Sequence, residues 1–180
     1  MVAKAFAVGL VLALGLFGPF DRAMADDTKD VKEADETLLV FKKADPSLSR
    51  FLDSAAGYAV FPTITKAAIG VGGAGGSGAV FEKGKPVGKA SVTQVTVGIQ
   101  LGGQTYSEII FFETAAALSD FKRGTFALAA QLSAVAASAG AAANANYQNG
   151  VAVFTFGKGG LMFEASVGGQ KFDFEPFVKK

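Results

Sequence analysis

Val95, Val97, Ile99 and Leu101 alternate with Gln94, Thr96, Gly98 and Gln100. A period of two predicts a strand with one face buried. The same period recurs late in the chain. Leu161, Phe163, Ala165 and Val167 alternate with Met162, Glu164, Ser166 and Gly168; Phe172 and Phe174 then alternate with Lys171, Asp173 and Glu175. Together with Gly57-Tyr58-Ala59-Val60-Phe61-Pro62 and Ile109-Ile110-Phe111-Phe112, these stretches predict an antiparallel sheet centred on 57–113 and continued in the last third. The sheet is laced with glycine, most densely over 70–78. Glycine inside a strand marks a bulge, a bend or a close backbone approach. The pattern therefore predicts an α+β fold around a strongly curved sheet, barrel-like or made of two packed halves. A weak internal echo supports two halves: Gly57 to Phe61 resembles Gly150 to Phe154, and Leu101-Gly102-Gly103-Gln104 resembles Val167-Gly168-Gly169-Gln170. Chance similarity between glycine-rich strands explains the echo equally well.

Helical spacing appears at the start and in one insertion. Val31, Ala34, Leu38 and Phe41 form a narrow apolar stripe over Thr28–Lys43, with acids at its start and Lys42 and Lys43 at its end, as the helix dipole favours. Such a stripe suits a membrane surface or a sheet. Asp30, Glu33, Asp35 and Glu36 on the polar face would be repelled by an anionic surface, which favours the sheet. Asp45-Pro46 predicts an N-cap and first turn for a second helix with Leu48, Phe51, Leu52 and Ala55 inside and Gly57 as its stop. Thr114 caps a third helix over 114–121 that ends near Gly124. Over Thr125–Ala139, alanine content argues helix, whereas Phe126, Leu128, Ala130 and Leu132 alternate. We read that stretch as strand, and Ala141–Gly150, with its asparagines, as loop.

Gly70-x-Gly72-x-x-Gly75 fits the dinucleotide fingerprint, as does Gly73-x-Gly75-x-x-Gly78. That motif requires a helix directly after it and an acid about 20 residues on. Ala79-Val80-Phe81 runs instead into Gly84, Pro86 and Gly88, and no acid lies between Glu82 and Glu108. The glycines are read as strand bends, and no cofactor is expected.

The first residues predict an address rather than fold. Lys4, the apolar run Ala5–Phe20 and Ala23-Met24-Ala25 have the order of a secretory signal peptide, residues 1–25, leaving 26–180 as a single domain. The protein is expected to be exported, periplasmic or secreted, with a peripheral place on the outer membrane as one option. The whole chain carries a formal net charge of +1, and removal of Lys4, Asp21 and Arg22 brings acids and bases into balance. Nucleic-acid binding finds no support in that balance. The chain has no cysteine and no histidine. Histidine-dependent nucleophilic catalysis and ordinary zinc sites are thereby excluded, and neither a metal site nor catalytic residues are expected. A disulfide and a lipoprotein anchor are excluded likewise.

Several motifs in fixed order resemble one family. Gly57-Tyr58-Ala59-Val60-Phe61-Pro62, Lys66, Gly70-Val71-Gly72-Gly73, Leu101-Gly102-Gly103-Gln104 and Lys158-Gly159-Gly160-Leu161-Met162-Phe163-Glu164-Ala165-Ser166-Val167-Gly168-Gly169-Gln170 resemble the bacterial branch of the SYLF domain. The resemblance runs from about Ala34 to Glu175. It implies a non-enzymatic lipid-binding module. Eukaryotic members bind phosphoinositides and influence membrane and actin dynamics; bacterial members are exported. Many bacterial relatives carry a lipidated cysteine, which this chain lacks.

The basic residues are sparse but grouped. Lys83, Lys85 and Lys89 are expected in one turn around Pro86, and Lys66 and Lys158 each precede a glycine-rich strand. Under the resemblance, Lys66, Lys83, Lys85 and Lys158 are candidate contacts for anionic phospholipid head groups, with Phe81 entering the lipid. The bland reading of the same lysines is a solvated hairpin. Two functions are therefore expected as alternatives: a phospholipid-binding protein of the bacterial cell envelope, and a structural or protein-interaction domain of the periplasm with no lipid ligand.

Overall fold

A computed structural model describes residues 19–128, 135–136 and 138–177, with side chains described for 27–69, 71–95, 101–126, 138–159 and 169–177. The elements run α1 (Pro19–Ala44), a 3-10 turn (Pro46–Leu48), α2 (Ser49–Ser54), β1 (Gly57–Glu82), β2 (Lys85–Phe112), α3 (Ala115–Lys122), β3 (Ala127–Leu128), β4 (Val135–Ala136), α4 (Ala141–Asn144) and β5 (Val151–Pro176). The sheet order is β1-β2-β5-β3, with β4 pairing parallel to β5. The architecture is α+β around an antiparallel, strongly curved sheet, as expected. Among the described residues the sheet does not close into a barrel.

Three strands of 26 to 28 residues dominate. β1 and β2 form a hairpin whose two-residue turn is Lys83-Gly84, both at positive φ (51° and 73°). That is the turn whose twist matches paired strands. Each long strand is a bent element with two legs. The bend is visible in β1, which crosses over itself: a side chain at Gly78 would collide with the Val60 carbonyl, and one at Gly76 with the Thr63 carbonyl. The glycines of 70–78 lie on this returning leg of β1, and the two legs touch backbone to backbone at Gly76 and Gly78.

The bend buries both faces of the basal half. One core lies between the legs and under α3, and contains Phe61, Ile64, Val80, Val92, Ile110, Phe112, Phe121 and Phe172. The other lies under α1, α2 and α4, and contains Phe41, Leu48, Phe51, Tyr58, Val60, Phe81, Phe111 and Phe154. Alternate residues feed alternate cores, which explains near-continuous apolar runs such as Ile109-Ile110-Phe111-Phe112. Rings interlock in the second core: Phe51 meets Phe154 at 5.0 Å edge-on, and Tyr58 stacks on Phe81 at 4.9 Å.

The helix caps follow the sequence. Asp45 Oδ1 accepts the Ser47 N–H, and Thr114 Oγ1 accepts the Ala117 N–H at 3.2 Å. Asp45 does more than cap. Its carboxylate also accepts the N–H groups of Gly140 and Ala142, joining the start of α4 to the 3-10 turn. Burial pushes its pKa up, but hydrogen bonds from Ala142, Ser47 and Gly140 outweigh that and hold it below the ordinary carboxylate value.

Several expectations are corrected. α1 begins at Pro19, well before Thr28. Ala141–Asn144 is one helical turn where loop was expected, held by Asp45. The turn is Lys83-Gly84 and not a loop around Pro86; Lys89 sits within β2 and pairs with Glu175 at 3.3 Å. The strand reading of 125–139 holds at β3 and β4, while 129–134 and 137 lie outside the described residues.

Candidate functional site

At the bend the apolar side of the sheet faces outward. Ile69 and Leu101 are direct cross-strand partners, 88% and 64% exposed. Val71 and Val95 lie on the same face and are exposed too. The alternation of 94–101 had predicted a buried apolar face; Val95 and Leu101 instead point to solvent, while Val97 and Ile99 side chains lie outside the described residues. No charged residue occurs on β1 between Lys66 and Glu82, or on β2 between Lys89 and Glu108. The stretch is an apolar surface with no charge of its own strands to break it.

The inward side is polar. Lys66, Glu108 and Gln170 are buried there, with Tyr106 half-buried beside them. Gln170 Nε2 donates to Glu108 Oε2 at 3.2 Å and to the Tyr106 hydroxyl at 3.4 Å. Glu108 Oε1 and Gln170 Oε1 have no hydrogen-bond partner among the described residues. Burial pushes the Glu108 carboxyl up to about 7, outweighing the lowering by the Gln170 hydrogen bond. The bend is thus inside out, with apolar side chains exposed and polar ones enclosed.

A groove of about 400 Å³ lies between α1 and the sheet, on the same outer face that leads to Ile69. Its sheet wall carries Thr63 and Lys158, and its helix wall Glu33 and Glu36. Lys158 Nζ donates to Thr63 Oγ1 at 3.0 Å. The register shift between Phe61 and Ile64 places Pro62 and Thr63 at the rim. Ser107 Oγ donates to the Pro62 carbonyl at 2.7 Å and fixes that rim from beneath.

The five residues singled out in the sequence do not form one site. Lys158 lines the groove. Lys66 is near it along the sheet, since Lys66, Gln104 and Gly160 are register neighbours, but its side chain is buried on the inner face. Lys83 lies in the hairpin turn and Lys85 directly after it, at the opposite end, which packs back towards Gly57. At ~3.3 Å per residue, Gly57 to Lys66 is about 30 Å of strand. Phe81, expected to enter lipid, is buried and stacked on Tyr58. Sequence reasoning missed Ile69, Val71, Val95 and Leu101 as a surface, although the charge-free runs around them were a readable signal. Among the described residues no helix is long and apolar enough to cross a membrane.

A model of the Ysc84 family, described as Las17-binding protein actin regulator, matches residues 93–175. The chain is also similar to Beta cell expansion factor A of Aeromonas veronii, with 28% identity over 142 residues, 77% of this chain and 53% of that protein. It therefore spans about half the length of this curated relative.

Proposed function

Because the chain belongs to the SYLF family, carrying its Ysc84 segment at 93–175, we propose that it is a non-enzymatic module that binds phospholipid membranes through the outer face of its bend. Family membership supports a lipid-binding or protein-interaction module. The observation that favours lipid is the inside-out bend. An exposed apolar patch marks a membrane or partner surface. Enclosed polar groups beneath outward aliphatic ones is the alternation that sheets adopt against hydrocarbon. In this reading Ile69, Val71, Val95 and Leu101 enter the acyl region and Lys158 meets phosphate at the boundary.

The test is co-sedimentation with phospholipid vesicles. Full burial of an Ile or Leu side chain contributes ~1.5–3 kcal/mol, and ~1.4 kcal/mol is tenfold in affinity. The cross-strand pair Ile69→Asp with Leu101→Asp is expected to weaken binding by at least tenfold. Both side chains are exposed, so the melting temperature should stay near that of the parent. A folded double variant that sediments as well as the parent rules this surface out.

The second reading, a protein-interaction module, is favoured by a different observation. β1 is an edge of the sheet, and its stretch at the bend, Thr65 to Val71, lies beyond the backbone crossing at Val60 and Thr63. Such an edge is a template for another strand. A parent that ignores vesicles but is protected along β1 from amide exchange by a protein partner would select it.

A further inference from the structure

We propose that the groove between α1 and the sheet holds the head group of a phospholipid carrying both a phosphate and a primary ammonium group, the phosphatidylethanolamine type. This rests on the lipid reading above and adds to it the identity of the head group.

The two walls of the groove carry opposite charge. Lys158 stands on the sheet wall, tied to Thr63 by one hydrogen bond. An ammonium has three donors, so two remain for a phosphate. The Thr63 hydroxyl, accepting from Lys158, keeps its own proton to donate. On the helix wall Glu33 and Glu36 form, among the described residues, only long, exposed pairs with Lys29 (3.8 Å) and Lys32 (3.9 Å). Such pairs contribute little and leave carboxylate lone pairs open to another donor. A ligand with phosphate at one end and N–H donors at the other satisfies both walls.

The alternatives each leave one wall unmet. A purely anionic head group would meet Lys158 but face two carboxylates. A choline head group has a cation but no N–H to give them. The space of about 400 Å³ is ample for a phosphoethanolamine group. Val40 and Phe156 line the groove beside the charges and offer apolar contact to the glycerol end. From the rim the outer face continues through Thr65 and Ala67 to Ile69, so acyl chains leaving the groove would run onto the apolar bend.

The experiment compares vesicles of phosphatidylcholine alone with vesicles half phosphatidylethanolamine and half phosphatidylcholine, for the parent, Glu33→Gln with Glu36→Gln, and Lys158→Gln. The parent is expected to bind the mixed vesicles at least fivefold more tightly. The double glutamine variant should lose the preference for the mixed vesicles, which separates recognition from any packing effect of the lipid itself. Lys158→Gln should weaken binding to both compositions. Measurable but equal binding of the parent to both vesicles, or a preference that survives in the glutamine variant, overturns the proposal. A second arm titrates soluble phosphoethanolamine and phosphocholine while following amide shifts at Thr63 and Lys158. Shifts with phosphoethanolamine alone, absent in the glutamine variant, support the site even if vesicles are ignored; in that event only the membrane reading falls. No shifts and no vesicle binding remove both.

Discussion

Glu108 is the residue whose surroundings most oppose its chemistry. It is buried on the inner face of the bend, its main partner is an amide, and its carboxyl is raised to about 7. The native state therefore keeps a proton that an unfolded chain, titrating near 4.5, releases. For a raised carboxyl the favourable contribution is complete below about 4.5 and is lost as pH rises through about 7. The slope approaches ~1.4 kcal/mol per pH unit in that window. Chemical unfolding followed across pH 4 to 8 should show stability falling, with the fall flattened in Glu108→Gln, which carries no titrating proton. Parallel profiles for parent and variant would mean that Glu108 is hydrated and ordinary. Neither Glu108 nor Gln170 stood out in the sequence as a pair. They are 62 positions apart, and only the bend brings them together. Asp45, by contrast, was legible as a cap from Asp-Pro alone, yet its bonds to Gly140 and Ala142 were not, because they depend on where α4 lands.

At the scale of elements, the decisive feature is that each long strand has two legs. Period-two alternation located the strands but not their pairing partners, which are β1 with β2 and β2 with β5. It could not say which face is inside, because the face is set by the bend and by the register shifts at Phe61/Ile64 and Ile69/Val71. A shift of one residue exchanges the two faces. That is why Val95 and Leu101 read as core and are exposed. The glycines carried the missing information. Gly78 lies where the returning leg of β1 crosses Val60, and no side chain fits against that carbonyl. Gly78→Ala should destabilise the fold by ~1–3 kcal/mol, the usual range for overpacking. Gly84→Ala, at positive φ but in open space, should cost only the backbone strain, ~1 kcal/mol. Urea unfolding of the two variants checks the order. An equal loss at both positions would mean that the crossing relaxes freely.

For the whole molecule, the distribution of charge matters more than its sum. The chain is nearly neutral at +1, so no global field draws it to an anionic surface. The sequence suggested that a lysine cluster supplies local attraction. The fold separates that cluster: Lys66 is buried at the bend, and Lys83 and Lys85 sit at the hairpin turn at the other end. If the bend is the docking end, the turn points away from the membrane. Its lysines would then lie more than a Debye length, ~8 Å at physiological salt, from the lipid phosphates. Replacing Lys83 and Lys85 by glutamine should leave vesicle binding within twofold of the parent. Raising salt from about 0.1 M to 1 M, which shortens the screening length from ~10 Å to ~3 Å, should weaken the parent only modestly, because the main contribution is burial of Ile69, Val71, Val95 and Leu101. The lysine-cluster mechanism makes the opposite forecast. Each lysine at an anionic surface contributes ~1 kcal/mol, so losing two would reduce affinity some thirtyfold, and salt would abolish the remainder. Sedimentation of the Lys83→Gln, Lys85→Gln variant at the two salt concentrations decides between an apolar end and a basic end of the same sheet.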